Sequence, residues 1–174
     1  MSPRAKVALV AAVCAAPFVL GTAAYLFDWV PGKQGNYGEL ITPRPLSGAP
    51  LDALRGKWLL ITFDAATCNA YCERKLYLMR QVRAAQGKDA GRVERVWALT
   101  DTARPRAELL AAIEGTHVVP LREAPALQGF PADAADRIYV VDPLGNLMMS
   151  FPRDPDPSKM LKDLQRLLRL SQIG

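Results

Sequence analysis

At 174 residues, the chain has room for one ordinary domain and an appendage, since domains run to about 100–200 residues. Half of it is hydrophobic, which excludes a disordered chain; much of that content precedes Pro31, yet the rest still suffices for a compact core of about 120 residues. The net charge of +5 comes from Lys and Arg scattered among Asp and Glu, with no basic helix interleaved with aromatics, which argues against nucleic acid as a partner and for a mildly basic, solvated surface.

From Val7 to Phe27 no residue is charged. At about 1.5 Å per residue such a helix spans a hydrocarbon core of about 30 Å. Arg4 and Lys6 precede the run and Asp28 follows it. The positive-inside rule then predicts a cytoplasmic tail over 1–6, a transmembrane anchor over 7–29 and an exported remainder. That is a single-pass protein of a bacterial-type inner membrane with its soluble domain in the periplasm. Tyr25 and Trp29 sit where interfacial aromatics belong. A cleaved signal peptide fits less well, because Thr22 and Ala24 make a weak cleavage site and the apolar run exceeds a signal core. Cys14 reads as a small apolar residue of the membrane helix, since Ala11 and Val13 do not frame a lipoprotein site.

Residues 30–50 carry Gly32, Gly35, Gly38, Pro43, Pro45, Gly48 and Pro50, and this punctuation predicts a linker. A single domain is expected over 51–174. Trp58 to Phe63 is a short apolar run of the kind a buried strand shows. Cys72 to Ala85 reads as a helix through Leu76, Met79, Val82 and Arg83, and Val93 to Leu99 as a second strand. Pro105 suits the first position of a helix carrying Leu109, Leu110 and Ile113, and Val118 to Leu121 is a weak strand candidate. Ile138 to Val141 and Leu147 to Phe151 bracket the turn 142–146 as a β-hairpin. Lys159 to Leu170 is an amphipathic helix, with Met160, Leu161, Leu164, Leu167 and Leu168 on one face. This order is similar to that of a thioredoxin-like fold, an α/β domain with a mixed sheet and flanking helices.

Cys68 and Cys72 are the only cysteines beyond the apolar segment. With one histidine, His117, the soluble part lacks the four ligands of a closed structural zinc site. The pair lies where the first core strand enters the first long helix, at the positive end of a helix dipole, which lowers a thiol pKa and raises its nucleophilicity. At i and i+4 the two fall on one helical face within disulfide reach. Two chemistries follow. In thiol–disulfide exchange, Cys68 attacks and Cys72 resolves; in metal binding, the two thiolates hold a soft ion such as Cu(I). Asp64, ending the strand, reads either as a proton acceptor for Cys72 or as a capping carboxylate.

Phe63, the Cys68-x-x-x-Cys72 motif, Leu76 and Met79, the strand and Asp of Val96 to Asp101, and Tyr139-Val140-Val141-Asp142-Pro143-Leu144-Gly145 together resemble the Sco (SenC) family of cytochrome c oxidase assembly proteins. The resemblance implies a membrane-tethered thioredoxin-like domain facing the periplasm. It implies delivery of copper to an oxidase subunit with a copper site, or reduction of that site's cysteines. In that family both cysteines and a histidine before the hairpin bind copper; here the matching position is Ala134, so the histidine is missing. No thioredoxin-type proline faces the cysteines, Pro131 falling several residues too early. Three functions remain open: an oxidoreductase acting through Cys68 and Cys72, a Cu(I) chaperone using the same thiolates, and a binding module that keeps the fold without the chemistry.

Overall fold

The structure, a computed structural model, describes residues 2–26 and 35–171. It divides into two units, 1–35 and 36–174. The first contains helix α1, Pro3–Leu26, the one described helix long and apolar enough to cross a membrane. Asp28 and Trp29, expected at its outer end, lie outside the described residues.

The second unit is built on a mixed sheet. Its strands are β1 (Glu39–Pro45), β2 (Trp58–Asp64), β3 (Val93–Leu99), β4 (Thr116–Pro120), β5 (Ile138–Val141) and β6 (Asn146–Phe151), in the spatial order β1-β6-β5-β2-β3-β4. β2, β3 and β4 are parallel neighbours, whereas β5, β6 and β1 are added antiparallel. The helices are α2 (Ala70–Ala84), α3 (Ala107–Ala112) and α4 (Pro157–Leu170).

The central strands are apolar on both faces because both are covered. Leu59, Ile61 and Phe63 of β2 pack with Val96, Ala98, Tyr139 and Val141 under the segments around Leu51 and Leu127. On the other face Leu60 and Val140 meet Met79 and Val82 of α2 and Met160, Leu164 and Leu168 of α4. A third cluster gathers Trp97, Leu99, Leu76, Leu109 and Ile113 around the two cysteines. At the hairpin, Asp142 Oδ1 accepts from Asn146 N at 2.7 Å and Gly145 takes φ +90°. A Cβ at Gly145 would stand 3.0 Å from Arg55 Nη1 and require a left-handed backbone, so glycine is needed there.

Two expectations are corrected. Part of the stretch read as a linker, 30–50, is structured: Glu39–Pro45 is edge strand β1, paired with β6. Asp163 Oδ2 of α4 accepts from Tyr37 N at 2.7 Å and Gly38 N at 2.8 Å, so the folded unit begins near Asn36. Pro43 and Pro45 do not prevent this, because an edge strand is paired on one side only. The helix expected to open at Pro105 begins instead at Ala107 and spans six residues, with Arg106 as an N-cap whose side chain makes no capping hydrogen bond.

Candidate redox site

Beyond Asp64 the chain leaves the sheet through residues 65–69 and enters α2. The loop is fixed from two sides: Ala66 N donates to Asp101 Oδ1 at 3.0 Å, and Cys68 N to Ala65 O at 3.0 Å. Asn69 is the N-cap of α2, its Oδ1 accepting from Tyr71 N and Cys72 N, each at 3.0 Å. Asparagine is favoured here because its short side chain satisfies helix-end N–H groups left without carbonyl partners. The cap fixes the backbone N–H of Cys72 and brings the positive end of α2 to the cysteines.

Cys68 and Cys72 are joined as a disulfide, with Cα atoms 5.2 Å apart. Cys68 has φ +42°, in the left-handed region that L residues other than Gly, Asn and Asp seldom visit. It lies between the exposed Thr67 and Asn69, yet only 4% of Cys68 and 1% of Cys72 is exposed. The sulfurs belong to the cluster of Ala66, Leu76, Trp97, Leu99, Leu109 and Ile113.

Asp64 is not placed as a cap. Its Oδ2 is 2.7 Å from Lys75 Nζ, with Lys75 buried and Asp64 largely so, and accepts from Thr62 Oγ1 at 3.3 Å. Burial holds the Asp64 carboxyl above its ordinary pKa, and the neighbouring Lys75 offsets this only in part. Lys75 Nζ also donates to Ala135 O and lies 4.9 Å from the centre of the Tyr71 ring. Tyr71 Oη donates to Asp136 O at 3.1 Å, and burial raises the pKa of its phenol. Lys75 thus ties α2 to β2 and to Ala135, a role not read from the sequence. The signal was present: Cys72, Leu76, Met79 and Val82 mark the buried stripe of α2, and position 75 falls on it. A lysine there requires a buried carboxylate nearby.

Ala134, the residue that the sequence resemblance sets where a histidine is expected, is buried. It lines an apolar pocket of about 220 Å³ with Phe63, Leu127, Phe130 and Pro131. The fold does not bring the remaining histidine to this end. His117 lies on β4 beside Val96, exposed, with Nε2 3.4 Å from Glu94 Oε2. Among the described residues no group of three His, Cys, Asp or Glu side chains is arranged to hold a metal ion. The donor set at the cysteines is two sulfurs, which suits a two-coordinate soft ion once reduced and lacks the third ligand of a Cu(II) site.

No curated protein matches the sequence. Solved structures share the fold at low identity. Copper-bound yeast Sco1 matches with a TM-score of 0.59 and 16% identity, over 79% of this chain and 96% of its own. Apo Sco1 from Thermus thermophilus matches at 0.53 and 19%, over 79% and 98%. A DsbF homologue from Corynebacterium diphtheriae matches at 0.54 and 16%, over 78% and 96%. Residues 58–171 match the model of the family described as "Transmembrane-like, thioredoxin-like, C-terminal domain"; with most of the chain covered and the sheet, helices and cysteine loop in place, the protein belongs to that family.

Proposed function

We propose that the chain is a membrane-anchored, periplasmic thiol–disulfide exchange protein acting through Cys68 and Cys72 on a cysteine pair of a cytochrome c oxidase copper site. The observation that carries the reading is the Cys68–Cys72 disulfide at the Asn69-capped N-terminus of α2. In the reduced form, the Cys68 thiolate attacks a partner disulfide and forms a mixed disulfide, and one partner sulfur leaves as thiolate. The Cys72 thiolate then attacks Cys68 Sγ, closing the Cys68–Cys72 bond and releasing the second partner sulfur. Two electrons pass from this chain to the partner. The helix end favours the Cys68 thiolate, while Asp64, already engaged by Lys75, leaves the Cys72 proton to solvent. The basic residues Arg4 and Lys6 before α1 support a cytoplasmic N-terminus, and a paired disulfide fits an oxidising compartment.

The test is Cys72→Ser in the full-length chain expressed in membranes, followed by non-reducing electrophoresis and mass spectrometry. A mixed disulfide through Cys68 to an oxidase subunit is expected; its absence, with the variant folded, rejects the exchange reading. A second reading, favoured by the two-sulfur donor set and by the fold shared with copper-bound Sco proteins, is that the reduced pair carries Cu(I) as cargo. It predicts one Cu(I) per reduced chain in competition with a chelator, lost in Cys68→Ala.

A further inference from the structure

An incoming thiolate must reach a sulfur along the S–S axis, yet 4% or less of either cysteine is exposed. Something has to move before exchange begins. Of the elements around the pair, α2, β2 and β3 are central to the fold, and α3 is not. It has six residues and an N-cap whose side chain makes no capping hydrogen bond, and it packs less extensively against any other element than α2 does against β3. It is joined to β3 through residues 101–106, most of them exposed. It contributes Leu109 and, at its C-cap, Ile113 to the cluster that holds both cysteines.

The two ends of α3 are held unequally. At the C-terminal end Arg80 Nη1 donates to Ala112 O at 2.9 Å, and the buried Arg95 donates through Nη2 to Glu114 O at 2.6 Å. Gly115, at φ +77°, then turns the chain directly into β4. At the N-terminal end the polar side-chain tie among the described residues is the ion pair of Arg106 with Glu73. Glu73 follows Cys72 on α2, and both side chains of the pair are about half exposed, 56% and 46%. An exposed ion pair is weak and screened by salt.

We propose that α3 is a hinged cover over the Cys68–Cys72 disulfide, latched by Arg106–Glu73 and pivoting at residues 113–115. Unlatching swings Leu109 away and admits a thiolate to Cys68 Sγ. For its purpose the cover rests on the exchange reading; its test does not. Dithiothreitol supplies the electrons. One of its thiolates attacks Cys68 Sγ and the Cys68–Cys72 bond breaks, with Cys72 leaving as thiolate. The second dithiothreitol thiolate closes the reductant's ring and frees Cys68, so two electrons enter the protein and dithiothreitol becomes its cyclic disulfide.

The experiment measures the rate of this reduction in the full chain in neutral detergent, for wild type, Arg106→Gln, Glu73→Gln and the double variant. Loss of a surface pair of this kind predicts reduction about threefold faster in each single variant, with the double variant no faster than either. The wild-type rate rises with added salt toward that of the variants. Electrostatic steering of the anionic thiolate would instead slow Arg106→Gln and speed Glu73→Gln, so opposite signs overturn the proposal. Unchanged rates in both variants, with unfolding midpoints preserved, overturn it as well. Either result leaves the exchange reading to its own test, and failure to trap a partner leaves the cover intact.

Discussion

Lys75 and Arg95 are both cations buried in the same domain, 2% and 3% exposed, and the fold accommodates them in opposite ways. Lys75, on α2 near the cysteines, meets the buried carboxylate of Asp64 at 2.7 Å and a backbone carbonyl. Arg95, on β3 nearer the other end of the sheet, has no carboxylate partner among the described residues. Its Nη2 reaches Glu114 O while Nε and Nη1 are unpartnered, and burial, together with Arg83 and Arg80, lowers its pKa. A buried ion pair adds little net stability over apolar packing, but halving one leaves an isolated charge. The cysteine end is therefore the more brittle, and Lys75 rather than Arg95 is the cation whose loss the domain should feel.

The largest effect expected is from Lys75→Met. It removes the partner of a buried carboxylate and should cost about 3–5 kcal/mol at pH 8, read from denaturant unfolding of the full chain. The loss should shrink toward pH 5, because an unpaired Asp64 takes up a proton rather than remaining charged. The double variant Asp64→Leu with Lys75→Met removes both charges and should recover most of the loss. If the double is as unstable as Lys75→Met, the lysine acts through its bond to Ala135 O and its contact with Tyr71, not through Asp64.

Arg95→Met should cost less, about 1 kcal/mol or below. The hydrogen bond to Glu114 O is worth about 0.5–1.5 kcal/mol net, and removing a poorly satisfied buried guanidinium offsets part of that. A loss as large as that of Lys75→Met would show that Arg95 is paired in solution and would remove the contrast between the two ends.

The same contrast explains what the sequence disclosed. β2, β3 and the β5–β6 hairpin were legible because apolar runs of strand length, bounded by Gly or by Asp142-Pro143, leave few alternatives. α4 was legible from its apolar stripe, and the cysteine loop because two cysteines four apart stood at a strand-to-helix junction. β1 was not legible: as an edge strand it leaves Leu40 exposed and includes two prolines, so its pattern resembles a linker. The shortening of α3 was hidden by Pro105, which fits a first helical position in sequence but here precedes the N-cap. Lys75 and Arg95 were missed for a different reason. Position 75 falls on the buried stripe of α2, but the carboxylate that meets a lysine there is eleven positions away (75 − 64), and the partner of Arg95, Glu114 O, is supplied only by tertiary structure. The helix was expected from Cys72, and its start two residues earlier at Ala70 behind the Asn69 cap was not read; the bond from Ala66 N to Asp101 Oδ1 joins residues 35 positions apart (101 − 66).

The smallest effect, and the sharpest test of how the Lys75 end is balanced, is the pH dependence that Asp64 contributes in the wild type. Its folded pKa lies above the ordinary value of 3.8, with burial outweighing Lys75. The folded state therefore binds more protons than the unfolded chain in the window starting near that value. In that window stability falls as pH rises, by linkage, and is flat on either side as far as this group is concerned. Asp64→Asn keeps the shape and cannot titrate. The stability of wild type minus that of Asp64→Asn should thus decline as pH is raised through the window and then level off. A difference that rises with pH instead would mean that Lys75 outweighs burial and holds the carboxylate ionised. The cysteine end would then be anchored by a true ion pair, while the cost of Lys75→Met would still shrink toward pH 5, since that loss follows protonation of the unpaired Asp64 in the variant.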